Sequence, residues 1–231
     1  MILFRKKMVD LPDEQNTSDF YENRVLNEIA ARWDARADTW DRSLRQPHCH
    51  LNEDQAYARF LDEVHPLLQQ RRSFCAKGGV IDVGCGTGLV LADVVSRFAW
   101  GLGVDISHKM IDLARKKHIP NARFLVADAF HLTCPAATTV LSRGVLLSHY
   151  GHRQGAELLK SLRKLLLPKG LLVLDFLNRA ARHRHRHVPD KKTYFTGEEV
   201  CRIALDAGFS SAKIIGRMER RVLLLIGEVN V

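Results

Sequence analysis

A glycine-rich turn between a short apolar run and a helix is the segment best suited to bind a ligand. It reads Val80-Ile-Asp-Val-Gly84-Cys-Gly86-Thr-Gly88-Leu. Glycines let a ligand touch the main chain, and N–H groups at the start of a helix face the crevice at the carboxyl edge of an open sheet. The spacing G-x-G-x-G differs from the G-x-G-x-x-G of dinucleotide-binding folds. Asp82, inside the preceding strand, suits a cationic ligand better than a pyrophosphate.

Two further carboxylates follow the next two predicted strands. Asp105 ends the second strand, 21 residues after Gly84, where a carboxylate can accept hydrogen bonds from both hydroxyls of a ribose. Asp128 follows the third strand and is expected at the same edge of the sheet. Simpler roles stay open, because Asp82 could cap the turn after its strand and Asp105 could cap the helix that begins near Ser107.

Segments 80–89, 103–105 and 127–129 resemble, as a set, the three cofactor motifs of class I S-adenosylmethionine-dependent methyltransferases, and the resemblance covers about residues 78–231. It implies S-adenosylmethionine as cofactor. The residues assigned to the cofactor site are Asp82, Gly84, Cys85, Gly86, Gly88, Asp105, Ile106, Asp128, Ala129 and Arg143.

Each part of that cofactor has an expected neighbour under the resemblance. The glycines would approach the methionyl end, with Asp82 near its ammonium, partly through water. Asp105 would hold both ribose hydroxyls. Ile106 would pack on the adenine, and Asp128 with the Ala129 N–H would contact the adenine edge.

Candidate catalytic residues follow the fourth predicted strand, where this family commonly places groups that face the substrate. His149 is the candidate base, since a hydroxyl acceptor must lose a proton, and Tyr150 is a candidate hydrogen-bond partner of the acceptor. The alternative for His149 is a surface histidine in a loop. Arg143 could instead pair with an anionic substrate or with a structural carboxylate. The Asn/Asp-Pro-Pro-Tyr motif of enzymes that methylate the amino groups of adenine, cytosine and glutamine is missing here, which weakens the hypothesis of a nucleobase methyltransferase.

Three other features suggest chemistry more weakly. His48-Cys49-His50 lacks a fourth metal donor, so no metal site is predicted. The basic segment 178–192 interleaves arginines with histidines; it could bind phosphate or nucleic acid, but an exposed solvated loop is the simpler expectation. Trp33 and Trp40 belong either to a core or to a lid over the cofactor.

The elements that must position these residues form an α/β pattern after residue 78. Short apolar runs alternate with amphipathic helices, which predicts a doubly wound, seven-stranded, mostly parallel sheet ending in an antiparallel hairpin. The predicted strands are 80–83, 101–104, 123–127, 139–142, 171–176, 211–217 and 221–229. Helical stripes are predicted through Leu91–Phe98 and Leu158–Leu166, and a capping box at Thr196 and Glu199 predicts a helix that ends at Gly208.

The residues before 78 read as helix, so residues 1–77 are predicted to be a helical cap and residues 78–231 the ligand-binding domain. One helix runs from Asp19 to about Trp40, with Asp19 and Glu22 in capping-box register. A second begins near Asn52 and is limited by Pro66 in its last turn.

The composition of the chain limits the classes of protein to which it can belong. The chain has 231 residues, 46% hydrophobic and 26% charged, which fits a globular protein and excludes disordered and fibrous classes. Five cysteines without C-x-x-C pairing predict free thiols. The net charge of +9 favours an anionic acceptor or a nucleic acid as partner. With no apolar run near the ~20 residues of a membrane helix and no secretion signal, we expect a cytoplasmic protein without a membrane partner.

The sequence thus predicts a methyltransferase that acts on an oxygen or nitrogen atom of a small molecule. Alternatives are an RNA methyltransferase that uses the basic segment, a cofactor-binding protein without turnover, and a nicotinamide-binding domain. The oligomeric state is not predicted.

Overall fold

Apolar segments rich in Val, Ile and Leu form one sheet in the computed structural model, which describes residues 24–45, 56–184, 192–217, 219–220 and 222–230. The strands are β1 (Gly79–Val83), β2 (Trp100–Asp105), β3 (Ala122–Val126), β4 (Ala137–Ser142), β5 (Leu166–Leu177), β6 (Ser211–Ile215) and β7 (Val222–Glu228).

The sheet has the order β3-β2-β1-β4-β5-β7-β6. Strands β1 to β5 are parallel, and β7 pairs antiparallel with both β5 and β6. This confirms the predicted sheet with its antiparallel hairpin. The order reverses direction between β1 and β4, and such a switch point opens a crevice at the carboxyl ends of the strands.

The α-helices of the described residues are α1 (Arg24–Asp34), α2 (Trp40–Arg45), α3 (Ala56–Gln70), α4 (Arg72–Cys75), α5 (Leu89–Val94), α6 (His108–Lys116), α7 (His152–Lys164) and α8 (Gly197–Asp206). Besides these α-helices, 3-10 helices of three to six residues occupy Ala37–Thr39, Val95–Arg97, Leu146–His149 and Arg179–Arg184. No helix among the described residues is long and apolar enough to cross a bilayer.

Helices cover both faces of the sheet, and each face has its own apolar core. Helices α7 and α8 contribute Leu158, Leu162 and Val200 to one core. Helices α3, α5 and α6 contribute to the other, where Val64 of α3 is fully buried with Val94 of α5. The second cap helix therefore shares a core with the domain that follows it, and the boundary at residue 77 stays a prediction.

The cap helices differ from their predicted bounds in two places. The helix predicted to reach Trp40 ends at Asp34, and a 3-10 turn leads into α2; the predicted capping box lies outside the described residues. Pro66 does not limit α3, which continues to Gln70. Proline removes one backbone hydrogen bond from the helix, but Val64 and Leu68 on either side of it are fully buried, so packing holds the helix together.

Two later boundaries also differ. Leu165 and Leu166 do not lie on α7: the helix ends at Lys164, and Leu166 begins β5, paired with Ala137. A run of leucines fits a buried helix and a buried strand equally well, so periodicity does not separate them. The predicted exposed loop at 178–192 contains a 3-10 helix, and its first residue, Asn178, is fully buried.

Candidate functional site

The glycine turn joins β1 to α5 and is held by the neighbouring strand. Gly84, Gly86 and Gly88 have positive φ angles of 73°, 53° and 78°, which only glycine adopts without strain. The Gly84 and Cys85 N–H groups donate to the Val104 carbonyl at 2.7 and 3.0 Å. A Cβ added at Gly84 would meet no atom within 4 Å, so the main chain there is open to a ligand.

A cavity lies above the carboxyl edge of the sheet. Its empty volume is about 830 Å³, which includes solvent space at its open side. It is lined by Ile29, Trp33, Trp40, Val83, Gly84, Gly86, Val104, Asp105, Ile106, Met110, Ala127, Asp128, Ala129, Arg143, Gly144, Leu146, His149 and Tyr150. Nine of the twelve residues predicted for the site line this cavity, namely Gly84, Gly86, Asp105, Ile106, Asp128, Ala129, Arg143, His149 and Tyr150.

Asp82, Cys85 and Gly88 do not line the cavity. The Cys85 thiol is buried on the α5 face of the sheet, and burial raises its pKa. Gly88 is the N-cap of α5, where an added Cβ would lie 2.7 Å from the Phe124 ring. Its small size lets the helix approach the sheet, a packing role that the motif alone does not reveal.

Asp82 is 1% exposed, and its carboxylate accepts no well-formed hydrogen bond from the described residues. The turn therefore does not use Asp82 as a cap. Burial and then the charge of Asp105 raise its pKa to about 7, although the Leu91 N–H and Arg143 act in the opposite direction. A buried acid without a well-formed hydrogen bond, below the crevice, suits a water-mediated contact to a cationic group.

Asp105 ties two elements of the rim together. Its Oδ2 accepts the Gly86 N–H at 2.8 Å and its Oδ1 accepts the Ser107 N–H at 2.9 Å. Burial raises its pKa, and these donors offset part of the effect. It does not cap α6, because the N-cap is Ser107, whose hydroxyl accepts the Met110 N–H. The carboxylate still lines the cavity, and its remaining lone pairs can accept further hydrogen bonds.

Asp128 stands one strand further along the same rim. Its Oδ1 accepts the Phe130 N–H at 3.1 Å, and its Oδ2 lies 2.7 Å from Nδ1 of His131. Next to it, Tyr150 packs edge-on against Phe130 with the ring centroids 5.0 Å apart. Burial, with the charge of Asp128, raises the pKa of Tyr150 to about 12. The phenol is therefore neutral at physiological pH and can donate a hydrogen bond.

The opposite rim, after β4, carries cationic side chains. Arg143 lines the cavity, with its guanidinium 5.6 Å from the ring centroid of Tyr57, whose hydroxyl donates to Asp93 at 2.7 Å. Burial lowers the pKa of Arg143, and Asp175 opposes that shift. His149 ends the adjacent 3-10 turn, and Nζ of Lys192 lies 3.2 Å from its Nδ1 and closer still to its Nε2.

One buried carboxylate holds the backbone of this loop. Oδ1 of Asp175, on β5, accepts the N–H groups of both Gly144 and Val145. Val145 has φ 58° and ψ 40°, a left-handed conformation that costs a β-branched residue roughly 1–3 kcal/mol. The two hydrogen bonds thus hold a strained turn immediately before the segment that presents His149.

Helices α1 and α2 close the cavity from above. Trp33 packs edge-on against Trp40 at 5.5 Å and against His149 at 5.7 Å between ring centroids. Nε1 of Trp40 would lie 2.9 Å from a Cβ added at Gly86. Both tryptophans line the cavity, so the lid interpretation is the one that the geometry supports.

Three aspartates anchor these helices to the rim of the sheet. Asp34 accepts the Lys109 N–H at 3.0 Å and also the Ser107 hydroxyl. Asp38 pairs with Lys109 Nζ at 2.6 Å. Asp41 accepts the Thr87 hydroxyl and pairs with Lys117 Nζ at 2.7 Å, which also donates to the Thr87 carbonyl.

Sequence reasoning missed Asp175, Lys192 and these anchoring aspartates. For Asp175 a signal exists, because it is a lone acid inside the apolar run Leu171–Leu177. A buried charge in a strand needs partners, and such residues hold structure or function. Lys192 and the cap aspartates carry no such signal, since they lie among other polar residues.

The basic segment 178–192 is partly engaged within the protein. Arg179 pairs with Glu199 at 2.8 Å and donates to the Tyr194 carbonyl, and the guanidinium of Arg182 stacks on the Tyr194 ring at 5.4 Å. Residues 185–191 and the His48-Cys49-His50 segment lie outside the described residues. Within the described part of the chain, no group of three or more His, Cys, Asp or Glu side chains is placed to hold a metal ion.

Comparison with known proteins agrees with this geometry. Residues 80–170 match the family model of a methyltransferase domain. No curated protein matches the sequence significantly. Magnesium protoporphyrin IX methyltransferase from Synechocystis PCC 6803, crystallised with S-adenosylhomocysteine, superposes with a TM-score of 0.71 at 18% identity over 88% of this chain and 99% of that chain.

Two other solved structures show how widely this fold is used. CalS10, an amino pentose methyltransferase from Micromonospora echinaspora, superposes with a TM-score of 0.60 at 17% identity over 80% of this chain and 99% of its own. The [4+2]-cyclase SpnF superposes with a TM-score of 0.65 at 14% identity over 88% and 95%. Residues 80–170 therefore match a methyltransferase-domain model, and the chain has the Rossmann-like fold of S-adenosylmethionine-dependent methyltransferases.

Proposed function

We propose that this protein binds S-adenosylmethionine and transfers its methyl group to an oxygen or nitrogen atom of a small molecule. The observation that carries the proposal is that both groups of residues line the same cavity. The glycine turn, Asp105 and Asp128 face His149 and Tyr150 across the switch point of the sheet. Such an arrangement brings a cofactor site and a candidate base into one enclosed space.

The residues of the first rim fit the cofactor. Gly84 leaves space for the methionyl chain, Asp105 offers acceptors to the ribose hydroxyls, and Ile106 with Met110 provides an apolar surface for the adenine. Asp128 and the Ala129 N–H, both in the cavity lining, would contact the adenine edge. When bound, the cofactor would supply an electrophilic methyl group on its sulfonium.

The residues of the second rim and the cap would position the acceptor. His149 would take the proton of a hydroxyl acceptor, whereas an amine acceptor must be deprotonated before it attacks. Tyr150, neutral at physiological pH, would donate a hydrogen bond to the acceptor. Trp33 and Trp40 would exclude water, and orientation in such a site can contribute up to ~7–11 kcal/mol.

A small acceptor fits better than a nucleic acid. The cap covers the cavity with two indole rings, which leaves limited room for a polymer. In the basic segment, Arg179 and Arg182 are engaged with Glu199 and Tyr194. The RNA alternative therefore needs a basic surface other than these two arginines.

A second candidate is a protein that holds the cofactor without methyl transfer. The likeness to a structure named as a [4+2]-cyclase favours keeping it, because that fold is not restricted to methyl transfer.

Two measurements on the wild-type chain test the proposal. In calorimetry, S-adenosylmethionine and S-adenosylhomocysteine should bind and NAD should not; the reverse result would exclude the proposed cofactor. Incubation with methyl-labelled cofactor and fractionated host metabolites should then yield a labelled small molecule. Cofactor binding without any labelled product would favour the second candidate.

His149→Ala tests the base. We expect turnover of a hydroxyl acceptor to fall about a hundredfold, the usual contribution of a general base, with the affinity for S-adenosylhomocysteine unchanged. His118→Asn is the matched control, because His118 is exposed beyond the end of α6 and has the left-handed φ of 49° that asparagine tolerates. Unchanged turnover at neutral pH would remove His149 from the mechanism.

A further inference from the structure

Charge is divided across the cavity. The β1–β3 side carries carboxylates, with Asp105 and Asp128 in the lining and Asp82 buried behind them. The β4 side carries Arg143 and His149 in the lining; the Lys192 ammonium is not itself part of the lining but lies against the His149 ring. A ligand that spans the cavity therefore meets negative charge at one end and positive charge at the other.

We propose that the acceptor carries an anionic group, a carboxylate or a phosphate, which Lys192 binds beside His149. This inference rests on the proposed function, because the anionic side of the cavity is taken up by the cationic cofactor. The acceptor then occupies the remaining, cationic side, and complementary charge both attracts and orients it.

The contact between Lys192 and His149 shows where such a group would bind. An ammonium has three donors and no acceptor, so the imidazole nitrogen that it faces carries no proton. An anionic group bound to the ammonium would take over its hydrogen bonds, and the unprotonated imidazole nitrogen would then be able to accept a proton. Trp33 packs against the same imidazole ring and restricts its orientation. An acceptor held there by its anionic group would have a neighbouring hydroxyl within reach of His149.

One buried carboxylate interacts with this cationic side without occupying the cavity. Asp175 interacts electrostatically with both Lys192 and Arg143. It is 3% exposed, and its Oδ1 already accepts two backbone N–H groups. Asp175 therefore offsets part of the positive charge from its buried position beneath the loop that follows β4, while Arg143 and His149 face the cavity.

Three aromatic probes of similar size test the proposal, since Trp33, Trp40 and Tyr150 favour a ring in the cavity. The probes are 4-hydroxybenzoate, phenyl phosphate and the uncharged 4-hydroxybenzamide, titrated calorimetrically into the protein saturated with S-adenosylhomocysteine. At least one anion should bind about tenfold more tightly than the amide, the size of one charge-assisted hydrogen bond. Preference for the benzoate indicates a carboxylate acceptor, and preference for the phosphate indicates a phosphorylated one.

Variants identify the group responsible. Lys192→Gln should reduce the preference to less than about twofold, while Lys192→Arg, which keeps the charge, should retain it. Lys164→Gln removes the same charge at the exposed C-terminal end of α7 and should also retain it.

Equal binding of anions and amide, binding of none of them, or a preference that survives in Lys192→Gln would overturn the proposal. Binding of S-adenosylhomocysteine, measured first, separates this result from the proposed function. If that ligand does not bind, the cofactor assignment itself fails. If it binds and the anions are not preferred, the acceptor assignment alone fails.

Discussion

The rim formed by β1, β2 and β3 and the rim formed by β4 and β5 are held in position by different kinds of contact. On the first, backbone groups of adjacent strands bind each other directly, and Asp105 joins the glycine turn to the start of α6. On the second, one buried carboxylate restrains a strained turn, and the groups around His149 come from three separate parts of the chain: Trp33, the loop itself and Lys192.

This difference indicates that the two rims have different functions, one in cofactor binding and the other in acceptor binding. A rim built from short-range backbone contacts keeps its shape with or without a ligand, which suits a cofactor that every reaction cycle uses. A rim assembled from distant side chains can be altered one residue at a time, which suits an acceptor site. Changes on the first rim should therefore alter cofactor affinity, and changes on the second should alter turnover.

Asp105→Asn should have the largest effect. Removing the charge while keeping one acceptor should weaken S-adenosylhomocysteine binding about a hundredfold, because charge-assisted hydrogen bonds to the ribose become neutral ones or are lost. Calorimetry measures the affinity, and thermal unfolding shows whether the glycine turn has loosened. Asp112→Asn, an exposed acid on α6, is the matched control and should leave the affinity unchanged.

An affinity within about threefold of wild type in Asp105→Asn would contradict the assigned role of the first rim. The cofactor would then have to be held by the glycine turn and Asp128 without the ribose contact.

The first rim could be predicted from the sequence because its determinants are close together in the chain. Gly84, Asp105 and Asp128 each follow a strand, and parallel strands bring their carboxyl ends to one edge. The glycine motif predicted too many cofactor-site residues, because Cys85 and Gly88 pack against the core and do not line the cavity.

The second rim could be predicted only in part. His149 and Tyr150 were found because they follow β4, but Lys192 is 43 residues from His149 and Asp34 is 73 residues from Ser107. Nothing in the local sequence pairs residues so far apart, since the packing of whole elements decides which of them meet. Similarly, the leucines at 165 and 166 fit helix or strand until β4 supplies a partner.

Asp175→Asn tests the second rim, with a smaller expected effect. An amide nitrogen in place of one oxygen would face Arg143 without attracting it, and the hold on Gly144 and Val145 would weaken. We expect turnover of the acceptor to fall about tenfold, since misplacing a catalytic group by a fraction of an ångström has effects of this order, while cofactor affinity stays constant. Steady-state kinetics and calorimetry separate the two quantities.

Equal losses of turnover and of S-adenosylhomocysteine affinity in Asp175→Asn would show that the two rims are one coupled unit. Asp206→Asn, on the surface at the end of α8, controls for the loss of an acidic group and should change neither quantity.

Val145→Gly should have the smallest effect and addresses the strain itself. Glycine adopts the left-handed conformation freely, so relief of strain should offset the greater entropy of the unfolded chain and the lost apolar contacts of a half-buried side chain. We expect the free energy of unfolding, measured with urea, to stay within about 1 kcal/mol of wild type. Val222→Gly, half-buried at the start of β7, should lower it by more, because no strain is relieved in a strand. If Val145→Gly is instead the more destabilising of the two variants, the turn before His149 is not strained. The two rims would then differ only in how far apart in the sequence their contacting residues lie.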